Sequence, residues 1–132
     1  MSSSQPFRVL AFVPELLTSV RIESGVQRLG GFLEVVETPD AFVHGLKTQP
    51  ALALFDLTLD WIDLDELVRV CMSAGVPLLA FGPHIDTGRL RAARQAGVDF
   101  VYPRSKFMTD VSGTLREVLA GVESARLTRD DP

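Results

Sequence analysis

The most constraining stretch of the chain is Pro50-Ala51-Leu52-Ala53-Leu54-Phe55-Asp56-Leu57. It is short, apolar at every position but two, and ends beside a single carboxylate. A run of that length and character, opened by a proline, reads as a strand buried on both faces. Strands buried on both faces belong to parallel sheets covered by helices on either side. The carboxyl ends of such strands line the crevice where these sheets bind ligands or do chemistry. Asp56 lies at that end, so it is the first residue to question.

The rest of the chain repeats the pattern. Phe7 to Val13, Phe32 to Val36, Val76 to Phe81 and Val98 to Tyr102 are further strand candidates. Helical segments lie between them. Pro14 suits a helix start, and from Glu15 onward Leu16, Leu17, Val20, Val26 and Leu29 recur at helical spacing until Gly30-Gly31. Thr38 reads as an N-cap with Pro39 at the first helical position, ahead of Ala41, Phe42 and Leu46. Asp63 and Glu66 read as an acidic capping box for a helix that Gly75 stops. Asp86 or Thr87 opens a fourth helix through Ala96. The last begins near Phe107 and carries Val111, Leu115, Val118, Leu119 and Val122 on one face. Five strands alternating with five helices predict an α/β fold: a doubly wound, flavodoxin-like, five-stranded parallel sheet in the order 2-1-3-4-5. That order brings Val13 to Glu15 opposite Asp56.

Composition narrows the function. The 132 residues suit one domain, expected over 7–125, with polar ends at 1–6 and 126–132 expected to be disordered. A net charge of −4 argues against direct nucleic-acid binding, which needs a basic surface. The single cysteine, Cys71, suits a reducing compartment and rules out an internal disulfide. The N-terminal residues lack a signal-peptide pattern, and no apolar run approaches the roughly 18 residues that span a bilayer. The expectation is a cytoplasmic protein without a membrane segment.

Taken together, Leu54-Phe55-Asp56-Leu57-Thr58-Leu59, Asp63-Leu64-Asp65-Glu66-Leu67-Val68 and Ala96-Gly97-Val98-Asp99 resemble the receiver domain of two-component response regulators, over Phe7 to about Glu123. The resemblance implies that Asp56 stands at the phosphoacceptor position. It also implies what should surround it, and here the chain departs. Two acids that hold Mg²⁺ in the family align with Val13 and Pro14, with Glu15 acidic just beyond. The hydroxyl residue ending the fourth strand aligns with Gly82. The lysine ending the fifth aligns with Arg104, and the aromatic switch position with Val101. Phosphoryl transfer rests on positioning and charge neutralisation, and Mg²⁺ needs oxygen ligands. Val13 supplies none and Gly82 has no hydroxyl. The chain therefore reads as a pseudo-receiver: non-enzymatic, without cofactor or metal, acting through a protein partner or as a homodimer. The alternative is an active receiver phosphorylated on Asp56 by a histidine kinase, with Mg²⁺.

Other residues carry weaker signals. Asp60, Asp63, Asp65 and Glu66 read as helix capping and a solvated loop. His84 and His44 read as a loop and a surface histidine, and Cys71 as a small core residue. Arg89, Arg91 and Arg94 crowd the fourth helix. They read as a solvated basic face; the alternative is a docking surface formed with Tyr102 and Phe107, and Trp61 nearby.

Overall fold

The computed structural model describes residues 6–130, with side chains through Ala125. Five parallel strands, β1 (Arg8–Phe12), β2 (Phe32–Val36), β3 (Leu52–Asp56), β4 (Leu78–Gly82) and β5 (Phe100–Pro103), form one sheet in the order β2-β1-β3-β4-β5. The doubly wound, flavodoxin-like arrangement expected from the strand pattern is the one observed. Between the strands run α1 (Leu16–Arg28), α2 (Pro39–Leu46), α3 (Leu64–Ala74) and α4 (Thr87–Ala96); α5 (Arg104–Thr109) and α6 (Val111–Asp130) follow β5.

The period of two along each strand divides the core into two layers. Leu10, Phe12, Ala53, Phe55, Leu78 and Ala80 face α2, α3 and α4. Val9, Ala11, Leu52, Leu54, Leu79 and Phe81 face α1, α5 and α6. Each fully buried Leu or Phe contributes about 1.5–3 kcal/mol. Every residue of β3 and β4 is buried, as parallel strands covered on both faces require.

Four local expectations change. The last helix is two helices. Asp110 leaves helical geometry at φ −150°, and its Oδ1 accepts the Gly113 amide, so it restarts the chain as α6. The helix α6 continues through Asp130, past Arg126, where the sequence suggests a tail; 131 and 132, like 1–5 of the expected N-terminal extension, lie outside the described residues. Asp63 caps α3 by accepting the Asp65 and Glu66 amides, but the Glu66 carboxylate turns to Arg69 instead of back to the cap. The capping box is half formed.

The fourth change concerns α1. Its buried face is Thr18, Ser19, Ile22, Gly25 and Val26, while Leu16 and Leu17 are 74% and 72% exposed. Gly25 explains the choice. A Cβ there would stand 2.5 Å from Val111 Cγ1, so a glycine lets α1 close onto α6. Among the described residues, no helix is long and apolar enough to cross a membrane.

Candidate functional site

The β2-β1-β3 order puts the switch point between β1 and β3, and the turns that follow these strands set the site. Phe12 pairs with Phe55 and Asp56 with Phe81, so the turns after β1, β3 and β4 meet at one end of the sheet. Asp56 is 2% exposed there. Its Oδ1 accepts the Thr58 amide at 3.0 Å and the Thr58 hydroxyl at 2.8 Å. Its Oδ2 stands 3.8 Å from Arg104 Nη1. Both oxygens thus have partners within the chain, one in a local Asx turn and one in an ion pair.

Arg104 is the hub. It is the first residue of α5, just after β5 ends at Pro103. Its Nη2 donates to Glu15 Oε1 at 2.9 Å and to the Thr18 hydroxyl, which itself donates to Glu15 Oε1. The guanidinium lies 5.9 Å from the Phe81 ring centroid, a cation–π contact. Phe81 in turn stacks against Phe107, with centroids 5.1 Å apart. One arginine therefore joins the turn after β1 to the end of β3 through a planar fork of donors. The Thr18 hydroxyl chiefly, helped by the charge and hydrogen bond of Arg104, holds the Glu15 carboxyl below its ordinary value of 4.5, although desolvation pushes the other way.

Val13 is buried in the apolar layer over α1, and its side chain carries no oxygen. Gly82 does more than lack a hydroxyl. A Cβ at that position would lie 3.0 Å from Leu57 Cβ and 3.2 Å from Leu57 Cδ1, so a serine or threonine requires Leu57 to shift. Among the described residues, no three His, Cys, Asp or Glu side chains converge as a metal site.

The candidate docking residues do not lie on one exposed surface. Phe107 is fully buried beneath Phe81 and cannot serve as an interface anchor; its position in α5 turns it into the core. Arg89 is also committed. Its Nε donates to the Leu57 carbonyl at 2.9 Å and its Nη2 to the Leu59 carbonyl at 3.0 Å, clamping the turn after β3 to α4. Arg91 and Arg94 are exposed, and Tyr102 is half-buried with Lys106 Nζ 5.9 Å from its ring. His44 and His84 are exposed, and Cys71 is buried.

Sequence reasoning missed Thr18, Thr58 and the clamp of Arg89. Asp56-x-Thr58 carries a legible signal, since Asp accepts hydrogen bonds from two residues on in an Asx turn. Thr18, one turn after Glu15, is legible only once Glu15 is known to face the site. Nothing local marks Arg89, whose partners lie in another turn of the chain.

Neither a family model nor a curated protein sequence matches the chain. Solved structures do. A response regulator receiver domain protein (CheY-like) from Methanospirillum hungatei superposes with a TM-score of 0.74 at 17% identity, covering 92% of this chain and 99% of that one. A response regulator from Thermotoga maritima gives 0.74 at 10% identity, covering 88% and 99%. An orphan response regulator of H. pylori gives 0.71 at 15% identity, covering 86% and 96%. Identities this low speak to architecture. With the strand order and Asp56 at the end of β3, they establish that this chain has the fold of response-regulator receiver domains.

Proposed function

We propose that the protein is a pseudo-receiver: a non-catalytic signalling domain that works by contact with a protein partner or a second copy, without a metal or a phosphorylation cycle. The observation that carries this reading is the placement of Arg104 between Glu15 and Asp56. A built-in guanidinium takes the role that a metal cation takes in charge neutralisation. It is held by its own backbone, so no exchangeable ligand is needed to keep Asp56 buried.

The donor set does not fit Mg²⁺. A hard ion of that size asks for near-octahedral oxygen ligands. Here the side chains of Val13 and Pro14 provide none, and Asp56 and Glu15 are already engaged by Arg104 and two threonines. Gly82 offers no hydroxyl to a phosphoryl group, and Leu57 crowds the space one would fill. A cytoplasmic location agrees with the free, buried Cys71.

One observation favours the active-receiver alternative: Asp56 stands at the carboxyl end of the central strand, where a receiver carries its phosphoacceptor. Intact-mass spectrometry separates the two. After incubation with Mg²⁺ and a small phosphoramidate donor, the protein is expected to keep its mass. A phosphoryl adduct that disappears in Asp56→Asn overturns the proposal.

A further inference from the structure

The helical layer opposite α1 has a seam. Between α2 and α3 runs a groove of about 370 Å³, walled by Phe42, Val43, Trp61, Ile62, Leu67 and Val70. It passes into a second hollow of about 430 Å³ that adds Leu46 and Ala74, with Val43 and Val70 common to both. Phe42 and Leu67 belong to the core beneath. Trp61, by contrast, is 64% exposed, and Val43 is exposed as well. A large aromatic held in water beside an apolar trough is what an interface anchor looks like before its partner arrives.

The charge along the groove is uneven. Asp40, Asp63 and Glu66 line one end, and Lys47 is the charged side chain lining the other. Glu66 is engaged by Arg69, and Asp63 turns one oxygen to the α3 amides. Asp40 has no cationic partner among the described residues.

We infer that the α2–α3 groove docks an amphipathic helix of a partner protein, apolar on the face it buries and basic at the end that meets Asp40 and Asp63. Helical walls offer no free sheet edge, so an added strand has nothing to pair with and a helix laid in the groove is the mode that fits. The seam follows α3, whose 11 residues span about 16 Å at 1.5 Å per residue. That length takes roughly three helical turns, with anchors at i, i+3 or i+4, and i+7. A second copy fits less well, because a two-fold axis sets one hollow against another and leaves both unfilled, with six acids facing two lysines across the pair. This inference rests on the protein-contact role proposed above and names its surface. It does not involve Asp56.

The probe is a synthetic amphipathic peptide of about four turns, with leucines along one face and lysines at one end. Its control carries glutamates in place of the lysines. Trp61 is the sole tryptophan, so its fluorescence reports on the groove directly. The expected result is a saturable shift of Trp61 emission with the lysine peptide, at least tenfold weaker with the glutamate peptide, and amide shifts confined to α2, α3 and the turn holding Trp61. Val70→Glu is expected to abolish binding. Asp40→Lys, an exposed change that leaves the core alone, is expected to weaken the lysine peptide and strengthen the glutamate one. Equal binding of both peptides, shifts outside the groove, or no saturable change overturns the inference. So does a dimer of the free protein that Val70→Glu disperses, which assigns the groove to a second copy. A phosphorylated Asp56 would sink the pseudo-receiver reading and leave this result unchanged.

Discussion

Arg104 decides the character of the site. It ties Asp56, Glu15 and Thr18 together from the first position of α5. Removing it strands a carboxylate that is 2% exposed. Arg104→Ala is expected to cost about 1–3 kcal/mol in urea unfolding, less than a fully buried pair because the guanidinium is one-third exposed. In the Asp56→Asn background the same change is expected to cost clearly less, and a double-mutant cycle measures the difference. Glu15 adds a pH signature. Its folded-state pKa is lowered, so the stability it contributes is present above its unfolded value and lost as pH falls through the folded one. Relative to Glu15→Gln, the wild type is expected to be more stable near neutrality, with the difference fading once pH drops below the ordinary carboxylate value of 4.5. A difference that persists at pH 2 would contradict the account in which the ionised carboxylate, held by the Thr18 hydroxyl and Arg104, carries the effect. Asp56 was legible from the chain alone, because one acid closes an apolar run. The pairing with Arg104 was legible only as a resemblance, and Thr18 hardly at all. Side chains that meet from three turns leave no pattern along the sequence.

At the level of elements, period and length carry most of the information. The strands were readable because two-faced burial leaves continuous apolar runs, and the helix caps because Thr38, Asp63 and Asp86 are residues that accept backbone amides. Two things were hidden. Helical spacing locates α1 but not the side it buries: Leu16, Leu17 and Val20 face solvent, while Thr18, Ser19 and Gly25 are buried, Gly25 against α6. The break at Asp110 was hidden because the apolar positions run on across it. These assignments have unequal consequences. Leu17→Ala is expected to change stability by no more than about 0.5 kcal/mol. Phe107→Ala, which empties a fully buried site beneath Phe81, is expected to cost about 3–5 kcal/mol. Thermal or urea unfolding of the two variants checks the pair. A large loss at Leu17 would mean that α1 buries its other face.

At the scale of the molecule, two core layers share one sheet, and a single cysteine reports on one of them. Cys71 packs between α3 and the sheet. Burial, with a smaller push from the Asp99 charge, raises its thiol to about 12. The thiolate is the reactive form, so alkylation at pH 8 is expected to be slow in the native protein. Its rate is expected to rise along the urea unfolding curve; rapid native labelling would show that α3 opens independently of the rest. The whole fold was legible because alternating strands and helices allow few topologies. Function was less so, since a fold shared by many proteins assigns no role by itself. The features of this chain that bear on a role are local: Arg104 bridging Glu15 and Asp56, and Leu57 packed beside Gly82. The most direct measurement is an amide and arginine side-chain NMR titration with Mg²⁺ and beryllofluoride. If Arg104 closes the site, the resonances of Asp56, Thr58, Gly82 and Arg104 stay where they are throughout. Saturable shifts at those residues, absent in Asp56→Asn, would mean that the site opens, binds the metal and is a working phosphoacceptor.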